Sequence, residues 1–460
     1  MRTIIDPPNA LGEGLAAIRT EFAVPESFPP QVLAAAAEAV TRRPAEHVDR
    51  TDRPFVTLDP ATSTDLDQAF AIEAAGADLL LHYAIADVAW FVRDGDPVDE
   101  QAWRRGETLY LPDGKAGLYP PILSEDAASL LPTGPRPAVV FTVRVAPDGG
   151  VRLDAVERAV IRSRAKLAYD RVTDAELPTG FADLSARITA AEARRGASRV
   201  DPPSQEVTRN GESGYTLSFA PRLKSEEQNA ALSLATNMAV ADAMAAHGTG
   251  LFRVMAAPDA RAAERLRHSA AALGLAWPAE QALADFERGL IATDPAQAAF
   301  MLALRRASPG ASYAPFRPGE TPWHAAVAAT YAHATAPLRR LADRYVIQAA
   351  LAISNGRPVP EPVAAALERL PPVMARADAL AGRISRAVID LAEAAVLRDR
   401  VGERFAAVVT DANEDDARIQ LRDAPITARL REPGLRPGEA VAVTLIEADM
   451  AQRRIAFRRA

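Results

Sequence analysis

The order in which the hydrophobic pattern changes along the chain constrains its fold more than any other feature. From Arg53 to about Arg164, short apolar runs of strand type follow one another. From Lys224 to about Gly402 the apolar residues recur with the period of a helix, and short alternating segments return in residues 404–460. Strands, then helices, then a second block of short strands predict an α+β protein that ends in a small barrel.

The predicted elements can be placed along the sequence by these periods and by turn residues. Strands are predicted over Phe55–Leu58, Phe70–Ile72, Leu79–Ile85, Val139–Val145 and Val151–Ile161, then Phe405–Val409, Ala417–Leu421, Ile426–Leu430, Ala440–Ile446 and Arg454–Phe457. Helices are predicted over Gln31–Thr41, Glu226–His247, Ala260–Leu273, Pro295–Arg306, Pro322–Tyr331, Pro337–Ile353, Pro362–Leu370 and Val373–Gly402. The long Pro-rich and Gly-rich connection between Gly95 and Pro137 is expected to frame a site or a channel.

Composition limits the chemistry that the chain can perform. It contains no cysteine and six histidines, which excludes disulfides, thiolate catalysis and cysteine-ligated metal centres. The net charge is −7, yet residues 301–460 hold 23 Arg and no Lys against 18 acidic residues, so any site for a polyanion is expected to be local. No apolar run reaches the roughly 20 residues that span a bilayer, so we expect a cytoplasmic protein without a membrane partner. We also expect a monomer that uses no organic cofactor.

Three aspartates crowd into one short segment between two apolar runs. Asp59 ends the first run, and Asp65 and Asp67 come just before the second. Carboxylates at this spacing can converge on Mg²⁺ or Mn²⁺, hard cations that favour oxygen ligands. An Asp-rich turn whose side chains hydrogen-bond their own backbone is the alternative interpretation.

A second polar segment, residues 331–344, combines histidine, proline and arginine. Pro337 suits the first turn of a helix, so Arg339 and Arg340 are predicted near a helix N-terminus, where backbone N–H groups favour a phosphate. Asp343 lies four residues after Arg339 and is predicted to hold its guanidinium in place. A solvated basic helix face with an ordinary ion pair is the alternative.

A series of short blocks between about residues 50 and 355 carries a family resemblance. The blocks are Val56–Asp59 with Asp65–Asp67, His82–Phe91, Leu109–Pro112, Pro121–Glu125, Lys166–Asp170 and Thr335–Arg340. In this order they resemble the RNB, or ribonuclease II, family of exoribonucleases. One block would be weak support for a resemblance, whereas the ordered series is specific.

The resemblance implies an activity and a set of metal ligands. The activity is hydrolytic degradation of single-stranded RNA from its 3′ end to nucleoside 5′-monophosphates, with Mg²⁺ or Mn²⁺ as cofactor. The residues that match the family's metal and phosphate site are Asp59, Asp65 and Asp67, of which Asp67 is implied to be the most important for catalysis.

The resemblance also implies a set of RNA-binding residues. Arg339 matches the catalytic arginine that clamps the phosphate, and Tyr169 matches the tyrosine that stacks on the terminal base. Stacking holds any base without reading it, as degradation without sequence preference requires. Taken alone, Tyr169 would suit an apolar core with its hydroxyl satisfied. Arg340 and His333 are expected to bind RNA beside the site.

Position 68 departs from the family pattern. The family generally has two adjacent aspartates here, whereas in this chain Asp67 is followed by Gln68. A glutamine can coordinate a metal through its neutral carbonyl oxygen but adds no charge. We expect cleavage to be retained, because the other three aspartates and arginine of the constellation are present, and the metal preference to be open to change.

The resemblance divides the chain into three predicted parts. Residues 1–50 form a small helical element of helix-turn-helix type, too short for the two cold-shock modules of typical members. Residues 51–403 form the RNB catalytic domain, a mixed sheet with helices, and residues 404–460 form an OB-fold barrel that binds RNA. With fewer modules around the RNA, we expect weaker retention of long substrates.

Two functions of different class stay open. The first is a metal-dependent 3′-to-5′ exoribonuclease acting on single-stranded RNA. The second is a degenerate RNB-domain regulator that binds RNA without cutting it, with Gln68 as the sign of a lost site. The retention of three aspartates and Arg339 favours the enzyme. Action on DNA is disfavoured by the resemblance alone, since phosphate and metal chemistry does not report the sugar.

Overall fold

The computed structural model describes residues 2–5, 10–197, 204–210, 214–220, 223–291, 294–412 and 415–460. The helices are α1 (Ala10–Glu21), α2 (Pro30–Ala39), α3 (Val88–Phe91), α4 (Pro97–Arg105), α5 (Phe181–Arg195), α6 (Lys224–Ala246), α7 (Ala260–Ala272), α8 (Leu283–Arg288), α9 (Pro295–Ala307), α10 (Leu341–Ser354) and α11 (Glu361–Leu397). A π-helical turn at Leu123–Ala127 and a 3₁₀ turn at Arg398–Arg400 are also present.

The strands are β1 (Arg2–Ile5), β2 (Val48–Asp49), β3 (Phe55–Asp59), β4 (Gln68–Ala75), β5 (Asp78–Ala86), β6 (Leu109–Leu111), β7 (Gly114–Ala116), β8 (Arg136–Val145), β9 (Val151–Ile161), β10 (Ser163–Ala168), β11 (Ser204–Asn210), β12 (Gly214–Ala220), β13 (Leu251–Val254), β14 (Ser312–Pro315), β15 (Trp323–His324), β16 (Ala329–Thr330), β17 (Arg404–Ala412), β18 (Ala417–Leu421), β19 (Thr427–Leu430), β20 (Ala440–Asp449) and β21 (Arg454–Arg459). The predicted mixture of helices and sheets is therefore confirmed.

A mixed seven-stranded sheet forms the centre of the molecule. Its order is β10-β3-β4-β5-β8-β9-β2, and only the pairings β10–β3 and β2–β9 are parallel. Helix α6 packs over β9, β8 and β5, and α10 packs over β9. Strands β5 and β8 lie inside the sheet under α6 and are buried along most of their length. Because β10 and β3 run in the same direction, both end at the same edge of the sheet, where Ala168 pairs with Asp59.

The C-terminal strands form a nearly closed barrel, as predicted. The order is β19-β18-β17-β20-β21 with every neighbouring pair antiparallel, and the two edge strands β19 and β21 lie against each other. Alternate residues point inward and are buried, as the pattern of β18 shows. The five-stranded arrangement fits an OB-fold.

One long helix connects this barrel to the central sheet. The prediction of two helices on either side of Pro371 is wrong, because α11 runs through both prolines. Its first half, as far as Met374, is buried in the core of the central sheet, and its second half, from Ile384, is buried in the core shared with the barrel. Gly106, at the end of α4 with φ +75°, lies so close that an added Cβ would meet the Ala377 Cβ at 2.7 Å.

The N-terminal residues are held by the rest of the chain. Strand β1 adds to the hairpin β11–β12, a strand that the sequence did not predict. Helix α1 packs against α11 and α2 against α4. The connection between α1 and α2, residues 22–29, is longer than the three-residue or four-residue turn of a helix-turn-helix, so the helix pair departs from the predicted type.

Three predicted elements differ in the structure. Residues 322–331 form the small hairpin β15–β16 rather than a helix, because Ala328 takes a positive φ of 52° that a helix does not allow. Helix α10 begins at Leu341 and not at Pro337. The connection from Gly95 to Pro137 contains α4, β6 and β7. Within the described ranges, the helices lack an apolar stretch long enough to cross a bilayer.

Candidate functional site

The aspartate segment forms a supported loop at the edge of the central sheet. Asp59 ends β3 and Gln68 begins β4, so the loop brings Asp67 back toward the strand it left. The Lys166 ammonium on β10 donates hydrogen bonds to the carbonyl oxygens of Ala61 (2.9 Å) and Ser63 (2.5 Å). These bonds pair two loop carbonyl oxygens that lie outside the sheet, and they attach the loop to β10.

Asp67 is the most enclosed acid of the loop. It is 5% exposed, and its Oδ1 atom accepts a hydrogen bond of 2.7 Å from the Leu338 backbone N–H. Its Oδ2 atom lies 3.5 Å from the Arg339 Nε atom. Burial raises the pKa of Asp67 to about 7, although Arg339 and the Leu338 N–H act in the opposite direction. The protein therefore compensates the charge of this carboxylate only in part.

Asp59 lies in the same electrostatic environment. Burial raises its pKa to about 6, while the cations Arg339 and Lys166 lower it and the neighbouring Asp65 raises it. Asp59 and Asp67 thus interact with the same arginine. Two acids that are both held above their ordinary pKa at one guanidinium form a site in which additional positive charge would be stabilised.

Asp65 is bound differently, by a lysine of the protein. Its carboxylate pairs with the Lys115 ammonium at 2.8 Å and lies 3.3 Å from the Tyr110 hydroxyl, which donates to it. Lys115 also pairs with Glu125 at 3.2 Å. Neither Tyr110 nor Lys115 was predicted as a site residue. The sequence did carry a signal for both, because Tyr110 lies in the block Leu109–Pro112 and Lys115 is one of three lysines in an Arg-rich chain.

The aspartates fit a divalent cation by their chemistry, although they are not preassembled around one. Among the described residues, no three acidic or histidine side chains are clustered tightly enough to form a metal cage. Asp59 and Asp67 nevertheless offer hard carboxylate oxygens without full counter-charge, which is what Mg²⁺ and Mn²⁺ require. Asp65 would join them by exchanging its bond to Lys115. The metal ligands therefore stay a prediction.

The amide nitrogen and the amide oxygen of Gln68 are both hydrogen-bonded within the protein. Its Nε2 donates to the Thr335 carbonyl oxygen at 2.6 Å. Its Oε1 accepts from the Tyr83 hydroxyl at 2.5 Å and from the Ser233 hydroxyl at 3.3 Å. A side chain bound in this way links β4 to α6 and to the segment before α10. In this arrangement its carbonyl is not free to coordinate a metal.

Arg339 and Arg340 point to different surroundings. The Arg339 side chain is 47% exposed beside Asp67. The Arg340 guanidinium turns inward and donates to both oxygens of Asp343, at 2.9 and 2.7 Å. The prediction that Asp343 holds Arg339 is therefore wrong, since Asp343 pairs with the next residue. The prediction failed because the two arginines precede the helix, where the spacing of helical side chains does not apply.

Tyr169 follows β10 and lies beside Asp59. Its backbone N–H donates to the Asp59 carbonyl oxygen at 3.2 Å, which continues the parallel pairing of β10 and β3 by one residue. Its hydroxyl accepts a hydrogen bond of 2.8 Å from the Asn229 side chain on α6. The ring is half-buried against the core, so it is fixed in orientation while part of its surface stays accessible.

His333 belongs to an aromatic group behind the site. It forms a hydrogen bond of 2.8 Å with the Tyr313 hydroxyl through Nδ1 and meets the Tyr331 ring edge-on at 5.5 Å. Burial lowers the pKa of His333 well below its ordinary value, and the cations Arg340 and Arg253 lower it further. A neutral imidazole in these contacts supports the segment that carries Arg339, and the structure does not bring it to the aspartates.

Comparison with known proteins gives matches over most of the chain. Ribonuclease R of Aquifex aeolicus is 27% identical over 421 residues, which cover 85% of this chain and 59% of that relative. The solved structure of Mycoplasma genitalium RNase R in complex with ribose-methylated single-stranded RNA superposes with a TM-score of 0.87 at 19% identity, covering 98% of this chain and 78% of that one. The chain thus spans little more than half the length of the curated relative.

A third likeness is to a protein described as a pseudonuclease. The structure of yeast Ssd1, a pseudonuclease, superposes with a TM-score of 0.69 at 17% identity and covers 96% of this chain and 58% of its own. At such identities the structural likenesses show the fold alone. The family assignment rests on the sequence: the RNB domain matches residues 47–353, and the RNase II-type exonuclease C-terminal S1 domain matches residues 403–460. The chain belongs to the RNB family of exoribonucleases and carries that family's C-terminal S1 domain.

Proposed function

We propose that this protein is a hydrolytic exoribonuclease that degrades single-stranded RNA from its 3′ end to nucleoside 5′-monophosphates with a divalent metal. The observation that carries the proposal is the convergence of Asp59, Asp67 and Arg339 at one edge of the sheet, with Tyr169 bonded to the same strand end. The relatives named as ribonucleases support the substrate class.

The acidic residues would place the metal at the phosphate. Asp59 and Asp67, with Asp65 once it leaves Lys115, would hold Mg²⁺ or Mn²⁺. When bound, such a cation supplies Lewis acidity and neutralises charge on the scissile phosphate. Asp67 has a second task, because it accepts from the Leu338 N–H and faces the Arg339 Nε. It thereby fixes the segment that presents the arginine to the substrate.

Arg339 would stabilise the charge that develops on the phosphate. Its guanidinium is half-exposed, and its nearest acid lies at 3.5 Å, so N–H donors are left for phosphate oxygens. The planar fork of an arginine suits two such oxygens at once. Hydrolysis adds the oxygen of water to phosphorus and breaks the bond to the 3′ oxygen of the preceding nucleotide, which takes up a proton. The last nucleotide then leaves with a 5′-phosphate.

Tyr169 would position the terminal base. Its ring is held by the Asn229 bond to its hydroxyl and by its backbone bond to Asp59. Stacking on a fixed ring contributes about 1–3 kcal/mol per base and does not depend on base identity. The terminal nucleotide would therefore be held at a constant distance from the acids whatever its sequence.

A regulator that binds RNA without cutting it is the second candidate. The observation that favours it is Gln68, whose amide is bound inside the protein, together with the existence of a pseudonuclease of the same fold. The retained Asp59, Asp67 and Arg339 speak against it. A buried carboxylate, Asp67, beside an arginine whose side chain is half-exposed leaves N–H donors for a phosphate.

A cleavage assay distinguishes the two candidates. The protein is incubated with a 5′-labelled single-stranded oligoribonucleotide in Mg²⁺, in Mn²⁺ or in EDTA, and in parallel with a DNA oligonucleotide of the same sequence. We expect a ladder that shortens from the 3′ end of the RNA, requires metal, and slows by at least roughly 10²–10³-fold in Asp67→Asn. Asp399→Asn, a matched change at a side chain 85% exposed, should cleave normally. RNA that is bound but stays intact with both metals would establish the regulator.

A further inference from the structure

The Lys115 ammonium lies between two acids that belong to different segments. It is 2.8 Å from the Asp65 Oδ1 atom on the aspartate loop and 3.2 Å from the Glu125 Oε1 atom on the π-helical turn. The Asp65 side chain is the more enclosed of the two, 12% exposed against 31% for Glu125. One cation therefore serves two carboxylates, of which only Asp65 belongs to the predicted metal site.

Both carboxylate oxygens of Asp65 are in contact with the hairpin β6–β7. Oδ1 pairs with Lys115, and Oδ2 accepts a hydrogen bond of 3.3 Å from the Tyr110 hydroxyl. Tyr110 and Lys115 are partners in the register of the hairpin, so one short element carries both groups to the acid. A divalent cation at Oδ1 would be repelled by an ammonium on the same atom. Asp65 can therefore act as a metal ligand through Oδ1 only when Lys115 has left it.

Glu125 is placed to keep the ammonium paired when it leaves Asp65. Its Oε2 atom accepts a hydrogen bond of 2.9 Å from the Thr64 hydroxyl, and Thr64 directly precedes Asp65 in the loop. This bond fixes the glutamate beside Asp65, with its Oε1 atom next to Lys115. Because Lys115 keeps a carboxylate partner in either position, releasing Asp65 costs less than leaving the ammonium without a partner.

We propose that Lys115 is a counter-ion of the empty metal site and that Glu125 sets the metal affinity by accepting it. Without a metal, Lys115 neutralises Asp65 and reduces the repulsion among the three aspartates of the loop. With Mg²⁺ or Mn²⁺ in the site, Lys115 pairs with Glu125 alone, and the Asp65 Oδ1 atom becomes available as a ligand. The inference rests on the proposed function, because it takes the aspartates as the metal ligands.

Binding of Mn²⁺ to the full chain without RNA tests the proposal, measured by isothermal titration calorimetry and by electron paramagnetic resonance of free Mn²⁺. Lys115→Met removes the competing charge and should tighten Mn²⁺ binding about tenfold. Glu125→Gln leaves the ammonium with Asp65 alone and should weaken binding about two- to fivefold. In the double variant, Glu125→Gln should have no further effect, because Glu125 acts only through Lys115. Asp126→Asn changes the neighbouring acid, which pairs with Arg136 at 3.0 Å, and should bind Mn²⁺ as the parent does.

The outcomes separate this inference from the proposed function. The inference is overturned if Lys115→Met does not tighten binding, or if Glu125→Gln weakens binding equally in the parent and in Lys115→Met. Lys115→Gln repeats the test with a polar side chain, and thermal unfolding in EDTA shows that each variant is folded. A parent that binds no Mn²⁺ at millimolar concentration also overturns the inference. The metal-dependent cleavage that we propose is overturned as well only if RNA stays intact with both metals.

Discussion

Arg339 and Arg340 are neighbours in the sequence, yet they belong to two regions with opposite properties. The Arg339 side chain is 47% exposed and lies 3.5 Å from its nearest acid. The Arg340 side chain is half as exposed and shares two short hydrogen bonds with Asp343. Residue type and sequence position are almost the same, so the two arginines differ in whether their donors are already in use, and the one with donors left is the one that we propose binds the substrate.

Asp343 is the residue that creates this difference. Besides Arg340, it accepts hydrogen bonds from the backbone N–H groups of Thr335 (3.1 Å) and Ala336 (2.8 Å). These bonds hold the segment before α10 from the inside, while the Leu338 N–H reaches out to Asp67. Asp343 and Arg340 form an inner region that fixes the backbone of this segment. Asp67 and Arg339 form an outer region, in which the Arg339 guanidinium keeps N–H donors that are not in use.

The largest effect on stability is expected from removing the Asp343 carboxylate. Asp343→Ala leaves the Arg340 charge and two backbone N–H groups unpaired in a buried site, which should lower the free energy of unfolding by about 3–5 kcal/mol. RNA cleavage should fall with it, because Leu338 and Arg339 lose their position. Chemical denaturation measures the first quantity. Asp343→Asn retains acceptor atoms and should lose less; equal stability of Asp343→Ala and the parent would contradict this account.

Substitution of Arg339 should affect the rate of cleavage more than the stability of the fold. Arg339→Ala is expected to slow single-turnover RNA cleavage by roughly 10²–10³-fold while lowering the free energy of unfolding by less than Asp343→Ala does, because Asp67 keeps its hydrogen bond from the Leu338 N–H. Arg339→Lys keeps the charge but loses the planar fork, so its rate should lie between the two. Arg340→Ala is the matched control and should affect stability first. If Arg339→Ala unfolds as readily as Asp343→Ala, the two regions are not distinct.

A buried acid outside both regions tests whether a raised pKa alone indicates catalysis. Burial raises the pKa of Glu393 to about 7, and its Oε1 atom accepts from the Thr427 N–H and the Gln205 side chain. The unfolded carboxyl ionises near pH 4.5, so the folded state retains a proton that the unfolded state has lost. Ionisation therefore destabilises the fold as the pH rises from about 4.5 to about 7.

Glu393→Gln removes this ionisation. The variant should be more stable than the parent by about 1–3 kcal/mol at pH 8, and the gain should shrink as the pH falls toward 5. Cleavage of RNA should not change. Thermal unfolding followed at several pH values measures the effect, and a gain that is independent of pH would show that the proton is not its cause.

The smallest effect on cleavage is expected from the hydrogen bonds of Gln68 with Thr335 and Tyr83. Gln68→Ala removes the hydrogen bond to the Thr335 carbonyl oxygen, and Tyr83→Phe removes the hydroxyl that donates to the Gln68 Oε1 atom. Each should lower cleavage about fivefold, corresponding to about 1 kcal/mol. The double variant should lose less than the sum, because both changes break the same link. If Gln68→Ala instead raises the metal concentration needed for half-maximal cleavage and Tyr83→Phe does not, Gln68 acts on the metal.

The sequence predicted those features that depend on local pattern or on a complete motif. The strand Val151–Ile161 has the predicted ends, and the blocks that carried the resemblance lie within the matched RNB domain, residues 47–353. The roles of Asp59, Asp67 and Arg339 stay a prediction. Contacts between distant segments could not be read from the chain. The pairing of Asp65 with Lys115 and the bond from Gln68 to Thr335 join residues 50 and 267 positions apart, and no local periodicity records such partners.

The prolines of α11 show a different kind of failure. Pro371 and Pro372 predicted a break, because proline removes a donor and clashes with the preceding turn. The helix continues because both of its halves are buried, with Leu370 and Met374 in one core and Leu391 in the other. Tertiary burial outweighs the local penalty here, as it often outweighs helix propensity.

Because α11 is continuous, its length also sets the rotation of the barrel relative to the central sheet. One residue inserted between its two halves would rotate the S1 barrel by about 100° relative to the catalytic sheet and shift it by about 1.5 Å. Seven residues would restore nearly the original rotation but displace the barrel by about 10 Å. A flexible tether would tolerate either change. In this chain, the number of residues between Met374 and Ile384 therefore fixes the angle between the barrel and the central sheet, and only insertions close to a whole number of helical turns would preserve that angle.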